Sequence, residues 1–179
     1  VLLSTGAAVF VFDYRGYGRS EGRPGEAGTY LDAQAAHAWL CGRGYEPARI
    51  IVLGESLGGA VGTELALRER VGGLVLLATF TSVPELGAEL FPWLPVRWLS
   101  TIEYRTIDKL PGIGVPAMVI HSPTDSLVPF RHAEANYAAI RGPKELWTIP
   151  GDHNDFLYVD DTRYLEGLRR FMEILERSR

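Results

Sequence analysis

The chain has 179 residues, 46% of them hydrophobic, which suits one globular α/β domain with a real core. Eighteen basic residues against 22 acidic ones leave a formal net charge of −4, and no basic block of the kind that tracks a nucleic-acid backbone is present, so no nucleic-acid partner is expected. The single cysteine, Cys41, excludes an internal disulfide framework and, in an Ala-rich helical stretch, reads as inert packing.

The chain opens on Val1 with "VLLSTGAAVFVFDYRG", which reads as the tail of a helix running straight into a strand. The start of the natural protein is therefore expected to be missing, and any targeting or membrane segment with it. No apolar run is long enough to span a bilayer and no signal peptide is visible, so membrane association stays unassigned and the cytoplasm is the default location. Residues 7–13 (AAVFVFD) form a continuous apolar, β-favouring run, as expected for a strand covered on both faces. "RGYGRSEGRPGEAG" follows as a loop, where Asp13 and Arg15 are expected to hold the turn together by charge-assisted hydrogen bonds. Thr29 is expected to cap a helix reaching about Cys41. Residues 49–54 are the second strand and 57–70 the helix after it. Residues 73–79, 115–121 and 145–150 supply three more strands, with helices over 129–140 and 162–176. Strands alternating with helices imply βαβ units and a mostly parallel sheet. The whole, residues 1–179, reads as one domain.

One segment breaks the alternation. Residues 80–114 contain "LFPWLPVRWL", with Phe91, Trp93, Leu94, Trp98 and Leu99 close together. Such a cluster can pack onto the sheet edge, or it can form a short lid whose apolar face lines a pocket for an acyl or alkyl group.

The chemistry concentrates at "IIVLGESLGGAVG". In open parallel sheets ligands sit beyond the carboxyl ends of the strands. Ser56 falls there, between an apolar strand and a helix, in a reversal that strains the serine backbone and leaves little space around it. Gly54 and Gly58 flank the serine, and Gly59 lets the helix approach the strand. The helix amino end aims free N–H groups and its positive dipole at the site, so the Leu57 N–H is placed to donate to an oxyanion. A serine hydroxyl needs a base, and the base an orienting acid, in the chain order Ser, acid, His. Of four histidines, His37 and His132 lie in or at helices and read as surface or packing, and His121 precedes any candidate acid. His153, in the loop "PGDHNDF" after the fifth strand, is the base. Asp125 in "HSPTDSLVP" is the favoured acid, with Asp152 and Asp155 as rivals beside the histidine itself.

At these residues the chain resembles the serine α/β-hydrolases over nearly its full length. The likeness rests on "VFVFDYRGYGRSEG", "IVLGESLGGAV", "LATFTSVPEL", "FPWLPVRWL", "VIHSPTDSLVPF" and "IPGDHNDF". It is greatest to the compact branch with a minimal lid, which includes protein-depalmitoylating and serine-aminopeptidase-like hydrolases. The resemblance implies Ser56 as nucleophile, Asp125 as acid, His153 as base and Leu57 as one oxyanion donor, a small-molecule or acylated substrate, and neither metal nor organic cofactor. Two local departures are Ser122 where the family commonly has glycine, and a last loop one residue shorter before His153. A larger one is the second oxyanion donor, which the family takes from a His-Gly loop after an earlier strand. That strand would lie upstream of Val1, between the strands at 7–13 and 49–54. The chain is thus expected to resemble a hydrolase without its first strands, with four neighbouring strands, a separated 7–13 segment and low activity. Ester or thioester hydrolysis is the leading function. A non-catalytic binding protein of the same fold is one alternative. A peptidase is another, with Glu85, Glu89 or Glu103 as a subsite for a free amino terminus.

Overall fold

Four of the apolar runs pair into one sheet. In the computed structural model, which describes residues 2–177, β1 (Ile51–Glu55), β2 (Gly73–Leu77), β3 (Ala117–His121) and β4 (Lys144–Thr148) are hydrogen-bonded neighbours in that order. All three pairings are parallel, with Val52 opposite Leu74, Leu74 opposite Ala117, and Ala117 opposite Lys144. The connecting helices are α1 (Glu26–Gly42), α2 (Leu57–Arg68), α3 (Val83–Leu90), α4 (Val96–Leu99), α5 (Thr106–Lys109), α6 (Arg131–Ala139), α7 (Phe156–Val159) and α8 (Asp161–Arg177). Among the described residues, no helix is long and apolar enough to cross a membrane.

The period-two alternation of side chains along a strand divides the core. On one face Val75, Leu77, Met118 and Ile120 meet Tyr164, Leu168, Phe171 and Leu175 of α8. These helix residues recur at i, i+4, i+7 and i+11, the stripe that an amphipathic helix lays on a sheet. Each large apolar side chain fully buried this way contributes about 1.5–3 kcal/mol. On the opposite face Leu74, Leu76, Ala117 and Val119 meet Leu110, Ile113, Ala133 and Ile140. Covered on both sides, β2 and β3 are buried along their whole length.

Residues 7–13 depart from the expectation of a buried strand. They pair with no strand, and Val11 is 80% exposed. An apolar, β-favouring run becomes a strand only where a neighbour takes up its backbone groups, and β1 is laddered to β2 alone. The four neighbouring strands and the separated segment are the arrangement anticipated above. The segment is held instead by aromatic contacts, with Phe10 stacked on Trp39 of α1 at 5.0 Å between centroids. An open groove of about 580 Å³ lies here, lined by Phe10, Phe12, Asp32, Ala35 and Trp39 among others.

Two local contacts differ from those expected from the sequence. Helix α1 begins at Glu26, with Gly25 at its N-cap, and Thr29 is buried inside the first turn, where its hydroxyl meets Tyr104 Oη at 2.9 Å. The Glu26 carboxylate accepts from the Glu103 and Tyr104 N–H groups, so the helix start is set by a contact distant in sequence. Arg15 does not pair with Asp13. Its guanidinium and N–H bind Asp32 of α1, while Asp13 accepts from the Arg19 N–H. The 80–114 segment forms α3, α4 and α5, with Ser82 Oγ capping α3 by accepting from the Glu85 N–H at 3.2 Å. Its tryptophans do not pack on the sheet edge, because Trp93 and Trp98 are 78% and 89% exposed.

Candidate active site

Strand β1 ends at Glu55 and α2 starts at Leu57, so the chain reverses on Ser56 alone. Ser56 has φ 51° and ψ −114°, a left-handed conformation that costs a non-glycine residue about 1–3 kcal/mol and holds the side chain out at the turn. Its N–H donates to Leu77 O at 2.8 Å, which continues the β1–β2 ladder to the turn itself. A Cβ at Gly54 would overlap the Gly58 backbone, and one at Gly59 would overlap the Thr79 side chain. Gly58, expected to be equally confined, is not. A Cβ there would meet only the Tyr14 hydroxyl at 3.7 Å, an ordinary van der Waals distance. As the first residue of α2, Leu57 carries an N–H without an intrahelical acceptor.

His153 and Asp125 arrive from the loops after β4 and β3, at the same carboxyl edge of the sheet. His153 Nδ1 lies 2.8 Å from Asp125 Oδ2 and its Nε2 lies 3.2 Å from Ser56 Oγ. Asp125 Oδ1 accepts from the Leu127 and Val128 N–H groups at 2.9 and 2.7 Å. Since both partners of Oδ1 are donors, the carboxylate must be the acceptor throughout, and His153 Nδ1 carries the proton that it donates to Oδ2. Nε2 is then free to accept from the serine. The structure thus brings Ser56, His153 and Asp125 into one chain of hydrogen bonds, with the Leu57 N–H beside it.

The electrostatics follow the geometry. Burial acts to raise the Asp125 pKa, but contacts with His121 and His153 and the Val128 N–H outweigh it and hold the carboxyl well below its usual range. The hydrogen bond to Asp125 raises His153 above its ordinary value; burial opposes this, and Asp125, Glu55 and Asp152 add to it through charge. Burial raises Glu55, the residue before the serine, against the opposing pull of His153.

The rival acids have other partners. Asp152 accepts from the Ser126 N–H and hydroxyl at 2.7 and 2.8 Å and from the His153 N–H, not from the imidazole. Asp155 accepts from the Asp152 N–H. Ser122, where glycine was the family expectation, donates to Gly151 O, and Thr124 Oγ1 donates to the same carbonyl at 2.9 Å. The loops that carry Asp125 and His153 are therefore stitched together at three points, and the shorter last loop still delivers His153 to the serine. His37 contacts Arg70 O, and His132 lies between Thr81 and Glu89. His121, set aside on chain order, contacts Asp125 Oδ2 at 3.3 Å. Its place at the end of β3, four residues before the acid, was the available sequence signal. Among the described residues, no group of three His, Cys, Asp or Glu side chains is gathered that could hold a metal ion.

The pattern of the family described as alpha/beta hydrolase fold matches residues 1–103. An uncharacterized protein of Mycobacterium tuberculosis is 43% identical over 169 residues, covering 93% of this chain and 60% of that protein. Alpha/beta hydrolase domain-containing protein 17B of Homo sapiens is 33% identical over 169 residues, covering 92% of this chain and 56% of that protein. The chain thus spans 56–60% of the length of these two relatives. The Pyrococcus furiosus esterase Pf2001 superposes with a TM-score of 0.76 at 24% identity, over 96% of this chain and 72% of the esterase, which is a likeness of fold.

Proposed function

Because this chain belongs to the α/β-hydrolase family, we propose that it is a serine hydrolase cleaving a carboxylic ester or thioester through an acyl-enzyme intermediate. The observation that carries the reading is the unbroken relay from Asp125 through His153 to a strained Ser56. In this mechanism Ser56 Oγ attacks the acyl carbon while His153 Nε2 takes its proton, and Asp125 stabilises the imidazolium that forms. The carbonyl oxygen becomes an oxyanion that accepts from the Leu57 N–H at the start of α2. His153 passes its proton to the departing alcohol or thiol, leaving the acyl group on Ser56. A water, deprotonated by His153, then attacks the acyl-enzyme and releases the acid, restoring the serine. No metal or organic cofactor takes part in these steps. The exposed apolar side chains of 90–102, Trp93 and Trp98 among them, are available as a short lid for the acyl group.

The esterase described for the Pyrococcus furiosus neighbour is consistent with this substrate class. The peptidase alternative needs an unpaired acid for a free amino terminus, whereas Glu85 is paired with Arg97, Glu89 with Arg131 and His132, and Glu103 with Arg105. A purely binding role gives no use for a strained serine aligned on an imidazole. The test is covalent. A fluorophosphonate should label Ser56, and Ser56→Ala should abolish labelling and turnover of a p-nitrophenyl ester chain-length series while the protein stays folded. Mass spectrometry placing the adduct on another serine would refute the assignment.

A further inference from the structure

His121 is fully buried, at 0% exposure, at the last position of β3. Its Nε2 lies 2.8 Å from Val128 O and 3.3 Å from Asp125 Oδ2. Both neighbours are acceptors, so Nε2 carries the ring proton and Nδ1 is the lone pair. That Nδ1 is buried with no hydrogen-bond partner. A buried acceptor left unpaired costs about 1–3 kcal/mol, and an apolar side chain of the same volume would avoid the cost. What a leucine or phenylalanine could not supply is the single N–H, which faces both ends of the turn that holds Asp125. Val128 is the residue whose own N–H binds Asp125 Oδ1. Oδ2, the oxygen that receives His153, is the one His121 approaches from the buried side.

We propose that His121 is a positioning residue for the reaction, its Nε2–H donating to the Val128 carbonyl and lying 3.3 Å from Asp125 Oδ2, so that the turn holds the carboxylate toward His153. This rests on the serine-hydrolase reading above. His121 acts through Asp125, whose Oδ2 it meets from a fully buried position. The other acidic groups acting on His153 are Glu55 at the end of β1 and Asp152 in its own loop.

Two amides of different reach separate this role from packing. The side-chain nitrogen of His121→Gln can occupy the Nε2 position, while that of His121→Asn falls short of it. With p-nitrophenyl esters, His121→Gln should stay within about threefold of wild type. His121→Asn and His121→Leu should lose about tenfold or more in kcat with KM unchanged, as expected when a group supporting a reacting residue is removed. In those two variants the acid limb of the pH profile should move to lower pH, because a carboxylate no longer held toward His153 raises that histidine less. The loss should vanish when Asp125 is already Asn. Wild-type kinetics in His121→Asn, equal impairment in His121→Gln, an unmoved acid limb, or an undiminished loss in the Asp125→Asn background would each overturn the inference. Should His121→Leu fail to fold in thermal melts, the Gln–Asn comparison decides. Failure of wild-type protein to take a fluorophosphonate at Ser56 would instead remove the serine-hydrolase reading, and this inference with it.

Discussion

Replacing Asp125 by asparagine exchanges one carboxylate oxygen for an NH2 group and tests the relay at its root. Among the described residues the hydrogen-bond partners of Asp125 are donors, two backbone N–H groups on Oδ1 and His153 on Oδ2, with His121 Nε2 3.3 Å from Oδ2. The backbone groups cannot change their chemistry, so the amide oxygen must take the Oδ1 position and the NH2 must face the two histidines. His153 Nδ1 then has to accept, its proton moves to Nε2, and the nitrogen facing Ser56 can no longer take the hydroxyl proton. A wrong tautomer of this kind costs about 10⁴-fold in kcat in triad enzymes, equivalent to roughly 5.5 kcal/mol of transition-state stabilisation. Asp152→Asn should be much milder, within about tenfold, because its oxygens serve Ser126 and the His153 backbone rather than the ring. Steady-state hydrolysis of a short-chain p-nitrophenyl ester near neutral pH, with thermal melts as a folding control, measures both. Equal losses in the two variants, or the larger loss in Asp152→Asn, would refute the assignment of Asp125 as the orienting acid.

Other outcomes follow from the same geometry. In the proposed mechanism hydrolysis requires neutral His153, whose pKa is raised, so kcat/KM should climb through an acid limb centred above the ordinary histidine value of 6.5. The sign for stability is opposite: the protonated His153 beside Asp125 stabilises the fold below the unfolded-state pKa, and that contribution is lost as pH rises through the folded value. A limb below 6.5 would contradict the ordering of these charges. Gly59→Ala should lower stability by about 1–3 kcal/mol by driving a methyl into Thr79, whereas Gly58→Ala should be neutral or stabilising, since α2 gains helix propensity there without a clash. Equal Tm shifts in the two variants would show that the contact with Thr79 relaxes freely.

The elements that were legible in the sequence are those whose signals are local. The four strands of the sheet declared themselves as apolar runs, and Ser56 by standing between one of them and a helix. His153 and Asp125 could be chosen because chain order and strand ends limit which side chains reach one edge. The failures came where a distant segment decides. Thr29 looks like a cap, but Glu26 is held by backbone at Glu103 and Tyr104, so the helix begins earlier. Arg15 looks paired with Asp13 two residues away, but Asp32 of α1 offers it both carboxylate oxygens. A β-favouring pattern cannot by itself form a strand, so residues 7–13 remain unpaired without a neighbour on the β1 edge. Gly58 shows the converse limit, because a spacing of small residues does not say which of them is confined. His121 precedes Asp125 in the chain, and chain order bears on acid and base but is silent on a side chain packed behind the carboxylate.

The three stitches between the loops after β3 and β4 bear on how this site could be altered. Asp152 grips Ser126, and Ser122 and Thr124 both grip Gly151 O. Asp125 and His153 thus sit on one cross-braced unit although 28 positions separate them in the chain. A chimera that imports the last loop from another hydrolase without its upstream partner would inherit a histidine but lose the braces that aim it. Transplanted together, the two loops would carry their alignment with them, which makes the pair, rather than either loop, the natural unit of exchange.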